Sequence, residues 1–540
     1  MKRTLVLVLG IVLGSAHAAD VETVCREMVV ELTKKNADPG GRPLPVVSHW
    51  ANGFNRPKFS SDYQIGLLEK GHHVMPTLPF PRPGTTQYPE DGKPWVEKLR
   101  KWKAPFSLRA GQWESVLYSK KDPVDDPGKW RDLPAEKSPL AITLEGKMDT
   151  WLSPLGAIEP WYEAGVYNTS SKAFEQLQAW YPNPPFVILL SNNEARKVKT
   201  KHKIETRCKR YVDKYGTGTP HVQQRRVIAE GYVPRYAALL KGIRAGLKIE
   251  TWRKNTLLVG YNAFGPPHFG RWSGWTDYCY TTEDRVDPWH LVWEGGSPSY
   301  YSNNWDASTD YRVFSPQIES MNWVFMQKEA YAERPDFWFE FSVWDGNNAG
   351  KPKKDSRKKD FYLKKGQTWS PDRYGGYVQF GLWLLRPRVV REFRGSSLPL
   401  DEFRADFEAL VAGVDRVWAK PVLTRFWRKS ALVPNRSRKH PYQSRIPKKW
   451  QDVDRWFLLN TSLDAPGEWK LTTEIPVLAL ARVRGEGKGR EWLLYAHSPL
   501  QARGGVEIEI PGFGKVTVDI TPGGDFHLIK AADKSGTRIE

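Results

Sequence analysis

The sequence predicts an α/β protein: a (β/α)8 TIM barrel followed by a small C-terminal antiparallel β-sandwich. Three observations carry this. From about residue 40, short apolar runs alternate with helix-like segments, the pattern of a parallel sheet. Eight such runs fall within roughly 380 residues, which suits a barrel with long loops. Beyond residue 450 the pattern changes to short alternating strands with Gly-Pro turns, which implies a sandwich. A doubly wound open sheet is the alternative, but no glycine-rich phosphate loop follows the first strand.

The elements follow in order. Strand one is read in LPVVSHWANGF (44–54), before the helical SDYQIGLLEKG. Strand two is HHVMPTLPF, before PWVEKLRKW, and strand three is PFSLRAGQW (105–113), before a long connection to SSKAFEQLQAWYP. Strand four, PPFVILLSNNEA (184–195), turns abruptly from apolar to two amides and a carboxylate, and a long helix to residue 247 follows. Strands five to eight are read in 255–266, 288–301, DFWFEFSVWDG (336–346) and GGYVQFGLWLLRP (375–387), the last before the helical LDEFRADFEALVAGVDRVWAK. The barrel then occupies residues 40–425, a basic Pro-bearing connector 426–450, and the sandwich 451–540.

Residues 1–18 read as a secretory leader. Lys2 and Arg3 precede the apolar TLVLVLGIVLG, and AHA supplies a small-residue cleavage site. The apolar run is too short to span a bilayer and no other long one exists, so a secreted or periplasmic protein without a membrane span is expected. The three cysteines, Cys25, Cys208 and Cys279, allow at most one internal bridge, and the absence of CxxC argues against structural zinc. The histidines lack metal-ligand spacing, so neither a metal nor another cofactor is expected. The formal charge is +20, and loss of Lys2 and Arg3 with the leader leaves +18. Such a balance favours an acidic partner: anionic polysaccharide, cell wall, membrane surface or nucleic acid. No nucleic-acid-binding fold is recognisable, which disfavours the last.

A barrel presents its chemistry at the C-terminal ends of its strands. Strand one offers His49 and Trp50; strand three Arg109, Trp113 and Glu114; strand four Asn192, Asn193 and Glu194. Strand five offers Tyr261 and Asn262, strand six Trp293, Glu294 and Tyr300, strand seven Glu340, Trp344 and Asp345, and strand eight Trp383. Aromatic platforms beside amides and acids suit polyhydroxylated ligands, and the chain holds 25 Trp. Period-two parity in strand seven puts Phe337, Phe339, Phe341 and Val343 toward the helices. Trp338, Glu340, Ser342 and Trp344 then point into the barrel. A buried carboxylate there must be paired or used.

Asn-Glu ending strand four, a Glu on strand seven and a Trp on strand eight resemble the retaining glycoside hydrolases of clan A. The resemblance covers residues 40–425 and implies that Glu194 is acid/base, Glu340 nucleophile, Asn193 the ligand of the sugar 2-hydroxyl and Trp383 the sugar platform. Glu340 lies deeper in its strand than the clan's nucleophile, so Asp345 or Glu294 stays open as the partner. Retaining cleavage needs two carboxyl groups about 5–5.5 Å apart, one protonated and one ionised. Two basic runs, ARKVKTKHKIETRCKR (with Lys199) after Glu194 and KPKKDSRKKDFYLKK after strand seven, point to an anionic, sulfated or uronate-bearing substrate. The expectation is therefore an exported glycoside hydrolase of polysaccharides or oligosaccharides. The competing reading is a noncatalytic carbohydrate-binding or wall protein on a degenerate barrel.

Overall fold

The computed structural model describes residues 44–50, 53–55, 59–118, 130, 132–192, 203–261, 292–301, 324, 327, 330–332, 334–344, 370–393, 399–435, 477–498, 501–532 and 536–539. The leader, Cys25, Cys279 and most of the expected connector lie outside these residues.

Strand β1 (Val46–His49) is followed by helix α1 (Ser61–Glu69), and β2 (Thr77–Pro79) by α2 (Lys93–Lys101). After β3 (Phe106–Ala110) come the hairpin β4 (Leu140–Ile142) and β5 (Met148–Leu152), then α3 (Glu159–Thr169) and α4 (Lys172–Trp180). Strand β6 (Val187–Ser191) leads to α5 (Lys209–Tyr215), α6 (His221–Gly246) and α7 (Glu250–Asn255). Strand β7 (Thr256–Gly260) is followed by the sixth barrel strand in two pieces, β8 (Gly295–Gly296) and β9 (Ser299–Tyr301). Both pieces pair in one register with β10 (Trp338–Trp344); Pro298, which has no N–H to donate, sits in the break. Helix α8 (Pro371–Leu385), β11 (Val389–Glu392) and α9 (Leu400–Ala419) complete the unit.

All barrel pairings are parallel, in the order β1-β11-β10-β8-β7-β6-β3-β2. A single parallel bridge, Val47 to Val74, brings the two ends together, so the eight-stranded sheet is nearly closed, as in a TIM barrel. Strands such as VILLS in β6 are buried along their whole length because helices cover one face and the barrel core the other. Among the described residues no helix is long and apolar enough to cross a membrane.

Strand eight was expected at 375–387, but these residues belong to α8. Ser370 caps the helix by accepting the Arg373 N–H, and Pro371 occupies its first turn. Helix α8 is buried almost all round, between the barrel and the C-terminal sheet, so it has no polar face to betray a helical period. The true strand eight, VVRE, is four residues long and half charged.

After α10 (Pro421–Arg428), within the stretch read as a connector, β12 (Ala431–Leu432) joins β13 (Leu478–Arg484). With β14 (Glu491–His497), β17 (Asp525–Lys530) and β18 (Gly536–Ile539) these form a five-stranded antiparallel sheet. The hairpin β15 (Arg503–Ile510) and β16 (Gly514–Ile520) shares an apolar cluster with it: Ile508, Ile510, Val518 and Ile520 meet Ala479, Ala481 and Leu494. The opposite face of the sheet, through Leu480, Leu493, Tyr495 and Phe526, belongs to the barrel's own core cluster. Polar ties fix this contact: Tyr495 donates to the Gly376 carbonyl and Arg482 to the Trp383 carbonyl (2.6 Å).

Helices α3 and α6 run together at close range. A Cβ on Gly242 would collide with the Tyr162 carbonyl, and one on Gly165 with the Leu239 carbonyl; both obstacles are backbone. Gly242→Ala is therefore expected to lower unfolding free energy by about 2–3 kcal/mol, despite alanine's better helix propensity. Urea titration against wild type measures it; an unchanged midpoint would mean the helices can separate freely.

Candidate functional site at the barrel mouth

Register and parity sort the barrel interior into layers. In the middle layer, Arg391 of β11 meets Glu340 of β10 through two bonds, Nε to Oε2 at 2.9 Å and Nη2 to Oε1 at 3.0 Å. Arg391 Nη1 donates to Ser48 (2.9 Å) and Ser107 (3.1 Å) and approaches Thr77 (3.3 Å). Ser48 and Thr77 (2.9 Å) and Thr77 and Ser107 (2.6 Å) bond to one another, and the Trp338 indole donates to Glu340 at 3.0 Å. Parity thus places Glu340 inward, as expected. Its depth is another matter: Glu340 is in register with Val389, the first residue of strand eight, and is wholly buried with both oxygens engaged.

One layer higher, aromatic rings close the barrel. Trp50, following β1, meets Tyr261, following the opposite strand β7, edge to face at 5.5 Å. Phe393, just beyond β11, stacks on Tyr261 at 5.2 Å and packs edge-on to Trp50 at 5.5 Å. The Trp50 indole donates to Ser342 Oγ at 3.1 Å, and Ser342 and Ser297 Oγ lie 3.0 Å apart. Over Trp50, at 5.8 Å from its ring centre, lies the Arg109 guanidinium, its pKa lowered by burial. Beside it, at the end of β6, Asn192 has its Oδ1 buried without a hydrogen-bond partner among the described residues. Arg109 is in register with Leu190, two residues before Asn192.

The predicted residues divide accordingly. Trp50 and Tyr261 meet at the mouth. His49 points outward from β1 and is buried against Phe59, Phe403 and Phe407, with ring centres 4.0, 5.7 and 5.6 Å away. Trp383 lies on α8 rather than at a strand end, packed on Trp427 and Phe526, and donates to Gln379 at 3.1 Å. Trp113 and Trp293 stack at 5.7 Å in the layer outside the sheet, with Tyr236 of α6 at 6.0 Å from Trp293. Glu294 precedes β8, pairs with Arg244 and accepts the Leu258 N–H, and so belongs to the opposite end of the barrel. Tyr300 and Trp344 are placed along β9 and β10, while Asn193, Glu194, Lys199, Asn262 and Asp345 lie outside the described residues. Sequence reading missed Phe393 and Ser297; it turned Ser342 inward but gave it no role. Phe393 went unseen because strand eight was placed too early.

Glu114, beside Trp113, is fully buried. Burial pushes its carboxyl up to about 7, tempered by its own backbone N–H and the Tyr236 hydroxyl. The neighbouring Trp113, Trp161 and Trp293 indole nitrogens have no partner among the described residues. Among those residues no three His, Cys, Asp or Glu side chains converge as a metal site.

No protein-family model matches the chain, and no curated protein matches it either.

Two expectations follow. Glu340→Gln or Arg391→Met strands a buried charge and should cost about 3–5 kcal/mol, whereas the joint change Glu340→Leu with Arg391→Met should recover most of that. Denaturant unfolding of the three variants checks the coupling, and simple additivity would sink it. Glu114 holds its proton in the folded chain up to about 7 but loses it near 4.5 when unfolded. The folded state therefore binds the extra proton between these values, and its stabilisation, complete below 4.5, fades as pH rises through 7 by about 3 kcal/mol. Glu114→Gln should flatten stability across that window and leave the variant the more stable protein at pH 8.

Proposed function

We propose that this protein is an exported glycoside hydrolase whose substrate lies across the C-terminal mouth of the barrel. The observation that carries the reading is the polar edge of the aromatic layer, where the partly exposed Arg109 and Asn192 stand by Trp50, Tyr261 and Phe393; Trp50 and Tyr261 are themselves buried and support that edge, and a cation beside an amide suits an acidic sugar and its hydroxyls. In the sequence Asn193 and Glu194 follow Asn192 directly, and the clan A resemblance assigns Glu194 the role of acid/base.

The second carboxylate is reassigned within this proposal. Glu340 lies a layer below the aromatic rings with both oxygens held by Arg391, so it is poorly placed to attack an anomeric carbon. Glu294 is occupied by Arg244. Asp345, the residue after the end of β10, remains, and we assign it the nucleophile's role. Glu194 would protonate the leaving oxygen while the Asp345 carboxylate bonds to the anomeric carbon. Glu194 would then take a proton from water as that water displaces Asp345, and configuration is retained. The basic runs after Glu194 and after strand seven, with Lys199 in the first, favour an anionic polysaccharide or oligosaccharide. The burial of Glu340 also supports the second reading, a carbohydrate-binding barrel without catalysis.

Hydrolysis of purified neutral, uronate-bearing and sulfated glycans separates the two. Glu194→Gln and Asp345→Asn should each lower kcat by at least about a thousandfold in folded protein, consistent with loss of a catalytic carboxyl group. NMR of the first product should show retained configuration. Absence of turnover on every glycan, with binding preserved, would establish the noncatalytic reading.

A further inference from the structure

Among the described residues, Arg391 and Arg109 both project into the barrel, and they are treated differently. Arg391 has its donors taken up by Glu340, Ser48 and Ser107. Arg109, one layer nearer the mouth, has none of this. Among the described residues no carboxylate pairs with it, its buried Nε has no acceptor, and its one recorded contact is the Trp50 ring. A guanidinium stays charged under all ordinary conditions, and Arg109 is only partly exposed, with its buried Nε lacking an acceptor among the described residues. Such a cation, partly exposed toward the barrel mouth, is a place where a ligand can supply the anion.

We infer that Arg109 is the receptor for an acidic group on the bound sugar, a carboxylate or sulfate oxyanion held at the centre of the mouth. The glycan identity of the ligand rests on the proposal above; the oxyanion site rests on Arg109 itself. The neighbouring groups agree with the chemistry. The planar fork of Arg109 matches two oxygens of one oxyanion. Asn192 Oδ1, buried on the adjacent strand end and without a partner among the described residues, is an acceptor for a sugar hydroxyl. Trp50, itself buried, lies beneath the cation and holds it in place. Glu340, the carboxylate in the layer below, is already engaged by Arg391 and so does not neutralise Arg109. Together these read a sugar acid: one anion and one hydroxyl.

Thermal unfolding of the full chain in glucuronate, glucose 6-sulfate or glucose, at ionic strength held constant with chloride, tests this. Wild type should be stabilised by at least one of the two acidic sugars and not by glucose. Which acid acts tells carboxylate from sulfate. Arg109→Gln should weaken that binding at least tenfold. Should the Gln variant fail to fold, Arg109→Lys carries the test, because a single ammonium cannot reproduce the fork and should weaken binding about tenfold. Equal stabilisation by glucose, no response to either acid, or acid binding that ignores both substitutions overturns the inference. The same titration on Glu194→Gln separates the two claims. Arg109-dependent binding without hydrolysis of any glycan by wild type would leave the oxyanion site standing and remove the hydrolase. Hydrolysis of neutral glycans that is indifferent to Arg109 would do the reverse.

Discussion

The Arg391–Glu340 pair is the constraint on which the barrel depends. Two opposite charges sit at the barrel centre, wholly removed from water. Their mutual attraction offsets the desolvation cost only because the remaining donors also find acceptors, in Ser48 and Ser107. The position of that network matters. The sheet closes between β1 and β2 through a single backbone bridge, and Ser48 and Thr77 stand on the two sides of that seam, 2.9 Å apart. Side-chain hydrogen bonds thus do across the seam what the backbone ladder does elsewhere. Five strands, β1, β2, β3, β10 and β11, converge on one guanidinium.

The aromatic layer above inherits its geometry from this network. Ser342 is two residues along β10 from Glu340, and it anchors the Trp50 indole and Ser297. Trp50 is two residues along from Ser48, and Phe393 two along from Arg391. Each ring at the mouth except Tyr261 therefore rides on a strand whose preceding inward residue is fixed in the polar layer. This is a rigid support for a binding surface. Many tryptophans serve elsewhere: Trp113, Trp161, Trp252, Trp293 and Trp383 are fully buried away from the mouth. The aromatic richness of the chain is to that extent packing between helices and sheet.

Seven of the eight barrel strands were legible because a short apolar run followed by a helix is what a parallel barrel strand requires. Strand eight was not, since VVRE is brief and its Arg is buried by a partner fifty residues away in sequence. Helix α8 carried a stronger apolar signal and took its place. Parity oriented Glu340 correctly, but parity says nothing of depth, which follows from the stagger between neighbouring strands. The same parity, applied to VVSHW, turns His49 outward once Ser48 and Trp50 point in. That Arg109 and Asn192 keep polar atoms without partners among the described residues was beyond reach, because it depends on which side chains neighbouring strands bring beside them.

Helix α8 has one further consequence. It is covered by barrel on one side and by the C-terminal sheet on the other, with Trp383 set between Trp427 and Phe526. Barrel and sheet thus share one continuous apolar core rather than meeting across a wet boundary. The trailing strands are not an appendage that can be moved to another catalytic unit or trimmed for convenience. A chain ending near residue 430 would expose the indoles and leucines of α8 to water and invite self-association. In modular terms the protein is a single unit, and its C-terminal fifth must be synthesised before the barrel can finish folding.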